Sequence, residues 1–309
     1  MQLFIVCYNL LCTINTTNYF DFSECEVEHM IVMTYANFKG GVGKTTNSVM
    51  TAYELAKKGY KTLVCDLDPQ ANATQLLRRT YGLQNNQKGL KIGSTMMVAL
   101  SNENINEAIV KIMDNLYLLP SYSDFTEYPD FLELKYPAIE DNYKEKRIAY
   151  FKQQLDKVKD DYDFVIVDVP PTLSIYTDSA VYASNEVIIV LQTQQRSLDG
   201  AEAFFEYLQR TYDKYPSINF DILGVLAVLL KNNVGLDSQI LDDAGKIFGY
   251  DLMFHMIIHH MERLKRYDRT GIADKDLSPS DFHDTKVHYT YLTLTDEILE
   301  RLRQKGEIE

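Results

Sequence analysis

The sequence has no tryptophan and only four cysteines in 309 residues. Those four, Cys7, Cys12, Cys25 and Cys65, form no CxxC pair and no metal-ligand spacing. That excludes a thiolate metal centre and makes a reduced, cytoplasmic setting the plain reading. Positive charge is also short, with 31 Lys+Arg against 44 Asp+Glu and a net charge of −13. A chain this acidic cannot hold nucleic acid through its overall field, so any such contact needs a local basic patch. Long hydrophobic runs are missing too. The opening "MQLFIVCYNLLCTINTTNYF" is apolar for about a dozen residues, short of the ~20 that span a bilayer, and it lacks the basic n-region of a signal peptide. Residues 1–29 read as an arm packing on the domain or on a partner; a start near Met30 or Met33 fits the same residues.

What is present is a strand–helix alternation. The sequence is 46% apolar, enough for a sizeable core. Strands are predicted at 30–38, 61–67, 116–120, 163–169, 186–192, 222–230 and 252–258. Helices are predicted at 44–58, 71–80, 145–160, 173–184, 197–214, 236–248 and 292–304. Several strands are continuously apolar, as strands covered on both faces of a parallel sheet must be. The expected fold is a doubly wound α/β domain over 30–309, mostly parallel, with helices on both faces. The stretch 121–143, rich in Tyr, Pro and acids, reads as an irregular surface insertion.

"FKGGVGKTTN" at 38–47 follows a predicted strand and opens a predicted helix. The pattern G-x-x-x-x-G-K-[ST] requires glycine where Phe38 stands, so the strict motif fails. The physics survives, because Gly40, Gly41 and Gly43 let backbone N–H groups close around phosphate at a helix N-terminus. Gly40, Gly41, Val42, Gly43, Lys44, Thr45 and Thr46 are the nucleotide-binding candidates. Lys44 would serve the β- and γ-phosphates and Thr45 would ligate Mg²⁺. The next strand ends in "CDLDPQANAT", which delivers Asp66 and Asp68 to the crevice side, or alternatively as caps of the following helix. Asp68 is placed to orient or deprotonate an attacking water. "DFVIVDVPPT" delivers Asp168 at a strand end, where it can hold the water shell of magnesium. Thr45, Asp68 and Asp168 are the metal candidates.

Together "KGGVGKTT", "DLDPQANAT" and "VIVDVPP" resemble the deviant Walker A ATPases of the ParA/Soj/MinD group, the ParA-type partition proteins most of all. The resemblance runs from about Met30 to about residue 270. It implies a phosphate-loop lysine at Lys44, a magnesium ligand at Thr45, a hydrolysis residue at Asp68 and a Walker B acid at Asp168. It implies that Lys39 is the signature lysine, reaching across an ATP-bound homodimer to the partner's phosphates, so that Lys39, Lys44 and Asp68 form the catalytic set. "LQTQQRSLDGAEAF" and "IIHHMERL" resemble further family segments and place Gln192, Gly200 and Arg263. Ala71 stands where the family usually has glycine. "LKNNVG" matches the family's adenine-contacting segment poorly and leaves Asn232 and Asn233 as candidates.

A partition ATPase binds DNA without sequence preference as its ATP dimer, and "MERLKRYDR" offers the basic patch: Arg263, Lys265, Arg266 and Arg269. A solvated charged loop explains the same string; the resemblance favours DNA, for Arg263 especially. Arg301, Arg303 and Lys305 are a second candidate patch. His259 and His260 are adjacent and point to opposite faces of a strand, which does not suit a metal. The tail "DEILERLRQKGEIE" has no aromatic residue and ends acidic, unlike a membrane-surface helix, so it reads as a helix packing back on the domain, with no membrane partner. No helix-turn-helix segment is apparent. The resemblance therefore implies a cytoplasmic, nucleoid-associated ATPase with ATP and Mg²⁺ as cofactors and a separate ParB-like centromere-binding partner. The competing classes are a MinD-like or cargo-positioning ATPase that does not act on DNA, and a metabolic ligase on the same fold.

Overall fold

The computed structural model describes residues 29–230 and 234–309. Its strands are β1 (Ile31–Ala36), β2 (Thr62–Asp66), β3 (Val110–Met113), β4 (Leu116–Leu119), β5 (Phe164–Asp168), β6 (Glu186–Gln192), β7 (Asp221–Leu230) and β8 (Ile258–His259). They form one sheet in the order β3-β4-β2-β5-β1-β6-β7-β8. Every pairing is parallel except β3 with β4. The helices are α1 (Lys44–Lys57), α2 (Asn72–Gln84), α3 (Met96–Ser101), α4 (Tyr128–Lys135), α5 (Tyr143–Leu155), α6 (Ile175–Ala183), α7 (Gln195–Lys214), α8 (Val234–Phe248), α9 (Glu262–Thr270) and α10 (Phe282–Lys305).

The period-two alternation of the strands divides the apolar residues between two cores. Val32, Leu63, Val165, Val187 and Ile189 face helices α3 to α8; Phe151, Phe204 and Phe248 fill that side. Ile31, Met33, Tyr35, Val64, Ile166 and Ile188 face α1, α2, α9 and α10, where Tyr53, Tyr267 and Tyr291 are buried. Burial on both faces is what the unbroken apolar runs require. Burying one such leucine or isoleucine contributes about 1.5–3 kcal/mol.

Strand order reverses around β1, which lies between β5 and β6 while the chain next enters β2 beyond β5. Ligands bind outside the carboxyl ends of the strands at such a point. The register places Tyr35 of β1 beside Asp168 of β5, and Asp168 beside Asp66 of β2. The three predicted motifs therefore converge on one crevice.

Four expectations about local structure are corrected. The 121–143 stretch contains α4 and a 3-10 turn at Ser123–Glu127. Phe125, Tyr128 and Leu132 are buried there, with the Phe125 and Tyr128 rings stacked at 5.0 Å. Pro129, which reads as a loop residue, sits in the first turn of α4, where its missing N–H is harmless. The strand expected at 252–258 is only β8, preceded by a lone bridge from Met253 to Val225. The helix expected at 145–160 is α5, which stops at Leu155 and gives way to a 3-10 turn at Asp156–Val158. The last helix begins ten residues ahead of its expected start of 292, at Phe282, because Asp281 and Asp284 form a reciprocal capping box. Its buried face of Val287, Tyr291, Leu294, Ile298, Leu299 and Leu302 packs on the α1 side, as a tail folding back on the domain should. The arm expected at 1–29 lies, except for His29, outside the described residues.

Candidate active site

The phosphate loop connects β1 to α1. Gly41 and Gly43 have φ of 74° and 89°, left-handed conformations that place N–H groups around a hollow and suit glycine. Phe38, the residue that breaks the strict motif, packs edge-on to Phe204 at 5.0 Å and near Tyr207 at 5.5 Å. It anchors the loop to α7 instead of lining the hollow. Asn37 fixes the loop from the other end. Its amide Nδ2 donates to the carbonyls of Val190 (2.8 Å) and Ser197 (3.2 Å), and its Oδ1 accepts from the Lys39 N–H at 2.7 Å. Gly200 on α7 allows this approach, because a Cβ there would lie 2.8 Å from Asn37 Oδ1.

Lys44 is buried, and its ammonium donates to the carbonyls of Asn37 (3.1 Å) and Lys39 (3.3 Å). Burial lowers its pKa, opposed by the nearby Asp168 and Asp68 carboxylates. The Thr45 hydroxyl donates to Asp168 Oδ2 at 2.7 Å, and Ser48 reaches Asp168 Oδ1 at 3.4 Å. Burial raises the pKa of Asp168, which the Thr45 hydrogen bond and Lys44 oppose. A hydroxyl and a carboxylate side by side are the hard oxygen donors that Mg²⁺ takes, with water and phosphate completing its shell. These residues fit that ion.

The two aspartates of the β2 end separate in role. Asp66 accepts from the Thr74 N–H and hydroxyl, both at 2.8 Å, and from the Asp68 N–H at 3.2 Å. It ties the 67–74 segment to the sheet, so the helix-capping reading describes Asp66. Asp68 lines a cavity of about 560 Å³ with Gly41, Gly43, Lys44, Thr45 and Thr46. Its Oδ1 accepts from the Gln70 N–H at 2.9 Å, which shapes the loop. Lys39 is half-buried at the loop's edge, and its ammonium makes no hydrogen bond or ion pair among the described residues.

Known proteins resemble this chain in sequence and in fold. The family model described as "AAA domain" (AAA_31) matches residues 30–222. The chain belongs to this family and is a ParA/Soj-type ATPase. It is 28% identical over 242 residues to the chromosome-partitioning ATPase Soj of Treponema pallidum, which covers 78% of this chain and 87% of that one. In fold it is similar to apo McdA of Cyanothece, with a TM-score of 0.70 at 19% identity over 89% of this chain and all of that one. It is also similar to cobyrinic acid a,c-diamide synthase from Mycobacterium smegmatis, solved with a bound ATP analogue and magnesium. There the TM-score is 0.65 at 22% identity, over 90% of this chain and 96% of that one.

The structure of this ParA/Soj-type ATPase distributes the remaining candidates unevenly. Arg263 is only 14% exposed in its side chain and pairs with Asp281 and with Asp284 (3.4 Å), at the cap of α10. Lys265, Arg266 and Arg269 are exposed on α9, with Lys265 near Glu262 at 3.0 Å. In the second patch, the Arg301 guanidinium donates to the carbonyls of Leu223, Asp251 and Met253 and lies over the Phe254 ring at 4.3 Å. Lys305 pairs with Glu186 and Asp221. Arg301 and Lys305 are thus structural cations that hold α10 to the sheet. Asn232 and Asn233 lie outside the described residues. Sequence reasoning missed Asn37 and Arg79, which line or brace the site. An asparagine directly between a strand and a phosphate loop was the available signal for Asn37; Arg79 had none.

Proposed function

We propose that the protein is a DNA-partition ATPase. ATP and Mg²⁺ close a homodimer, the dimer binds DNA without sequence preference, and a centromere-bound partner stimulates hydrolysis and release. The observation that carries this reading is the pairing of two lysines in one loop. Lys44 is turned inward over its own phosphate hollow, whereas the Lys39 ammonium is unengaged at the rim, available to a second subunit. Lys44 and the loop N–H groups would hold the phosphates, and Thr45 and Asp168 would hold Mg²⁺, which supplies charge neutralisation at the transferring phosphoryl group. Asp68 would orient the attacking water. Membership of the family and likeness to a chromosome-partitioning ATPase support the partition role.

For DNA, exposed Lys265, Arg266 and Arg269 are the contacts we favour, with Arg263 positioning their helix through Asp281 and Asp284. Phosphate contacts of this type are sequence-blind, and each one lost lowers the salt slope by roughly 0.9. No helix among the described residues is long and apolar enough to cross a membrane. The apolar face of α10 is buried against the domain, which supports a reading without membrane attachment over a MinD-like one.

The deciding experiment is a gel shift with random duplex DNA, with and without ATP, on wild type and on the triple variant Lys265→Glu, Arg266→Glu, Arg269→Glu. Retardation that needs ATP and is lost in the variant supports the reading. No retardation by wild type at low salt sinks the DNA role and favours a cargo-positioning ATPase. Lys39→Gln should spare nucleotide binding by the monomer while removing ATP-dependent dimerisation; an ATP dimer that survives this change refutes the cross-subunit role.

A further inference from the structure

A cavity of about 940 Å³ adjoins the phosphate pocket and shares Gln70, Gln75 and Arg79 with it. It lies among α2, the segment after β4 and the end of α9. Four of its lining residues are cationic, Arg78, Arg79, Lys88 and Arg269, and none is Asp or Glu. In a chain of net charge −13 this is a pronounced local reversal. Arg79 is braced by the Asp268 carbonyl and by Gln75. Arg78, Lys88 and Arg269 form no ion pair among the described residues. A concave wall of one charge sign focuses its potential inward and concentrates counter-ions there.

A second observation is independent of charge. Ser121 lines this cavity and is fully buried; its N–H donates to the Thr74 hydroxyl at 2.9 Å. Its own hydroxyl has no hydrogen-bond partner. Buried hydroxyls are almost always bonded, so an unbonded one beside a cationic cavity points to a ligand acceptor. Leu83, Leu90 and Tyr122 add apolar surface and a ring, which suits a molecule carrying more than a bare anion.

The cavity also touches the loop that would act in hydrolysis. Pro69, Gln70 and Ala71 line it, directly after Asp68, and Ala71 is held at φ 56°, a strained conformation for a residue with a Cβ. We propose that this cavity is a second ligand site, for a phosphate-bearing small molecule, and that its occupancy is read by the 68–71 loop. Duplex DNA is the weaker occupant, because a buried hydroxyl in a concavity is out of reach of a phosphate backbone.

The test is calorimetric titration of the full chain saturated with Mg–AMPPNP, using ribose 5-phosphate, AMP and citrate as probes. The regulatory part of the proposal rests on the phosphate loop being the ATP site. AMPPNP binding, measured first in the same cell, tests that separately. Ribose 5-phosphate or AMP should bind the wild type, and Arg78→Ala with Lys88→Ala should weaken that binding about tenfold or more, as for loss of charge-assisted contacts. Ser121→Ala should weaken it further, and the bound probe should change the ATPase rate of wild type but not of the double variant, whose rate without probe is unchanged. Binding that ignores Arg78 and Lys88, or no binding of either phosphate probe, overturns the proposal. Citrate binding alone replaces phosphate by carboxylate chemistry and overturns it as well. Loss of DNA retardation in the double variant, with no small anion bound, assigns the cavity to DNA instead.

Discussion

Replacing Gly200 by alanine probes the link between fold and site. The added methyl would stand 2.8 Å from Asn37 Oδ1 and 3.3 Å from both the Cβ and the N of Lys39. Asn37 cannot swing aside freely, since its amide already bonds to Val190 and Ser197 while its Oδ1 holds the Lys39 N–H. Overpacking of this kind costs about 1–3 kcal/mol. Loss of the buried hydrogen bond to Lys39 adds about 1 kcal/mol. Alanine in a helix interior returns about 0.5–1 kcal/mol relative to glycine. The balance is a destabilisation of roughly 1–3.5 kcal/mol, or about 2–14 °C in Tm at the 2–4 °C per kcal/mol of large domains. Thermal unfolding measures this. Gly82→Ala in α2 is the control, because its new Cβ meets only Lys88 O at an ordinary 3.7 Å, and it should stabilise by about 0.5–1 kcal/mol. Since Lys39 is displaced along with Asn37, ATP-dependent dimerisation followed by light scattering should weaken in Gly200→Ala and stay intact in Gly82→Ala. A Gly200→Ala protein as stable as wild type would refute the argument that this glycine exists for close approach.

Other outcomes follow from single contacts. Ala71→Gly relieves a left-handed alanine (φ 56°) and should raise stability by about 0.5–1 kcal/mol, the strain of about 1–2 outweighing the chain entropy glycine adds; an unchanged or lower Tm contradicts this. Arg263→Ala strips a cation from the Asp284 carboxylate, whose side chain is 2% exposed, and should cost about 1–3 kcal/mol in denaturant melts. Arg266→Ala, by contrast, should cost almost nothing, and equal effects would show that Arg263 does no structural work. His288 sits with Nδ1 against Glu54 and Nε2 against the Ala273 carbonyl at 2.9 Å, near Asp274, with Lys57 and Tyr53 around it. Burial lowers its pKa, but the Glu54 hydrogen bond and charge outweigh that, and the net shift is upward. The folded pKa lies above the unfolded ~6.5, so this contribution is complete below pH 6.5 and is lost as pH rises through the folded value. His288→Gln should flatten that part of the stability–pH curve.

The candidates for the phosphate and magnesium positions are legible in the sequence alone. "GGVGKTT", Asp68 and Asp168 each stand at a strand end, and any doubly wound sheet brings strand ends to one edge. Burial on both faces was equally legible, because only parallel strands under two layers of helix tolerate such unbroken apolar runs. Which of the two neighbouring carboxylates lines the crevice depends on packing between distant elements: Asp66 is held by Thr74, a partner eight residues away whose direction depends on α2, and Asp68 lines the phosphate cavity. The same holds for the cations. Arg263, Arg301 and Lys305 look like Arg266 and Arg269 in sequence. Long side chains on charged helices differ only in what lies within reach, and Asp281, Asp284, Glu186 and the carbonyls near Phe254 come from distant parts of the chain. Phe38 shows both sides of this division. Its identity breaks the loop motif on paper, while its packing against Phe204 and Tyr207, set by how α7 crosses the sheet, explains why the loop still forms.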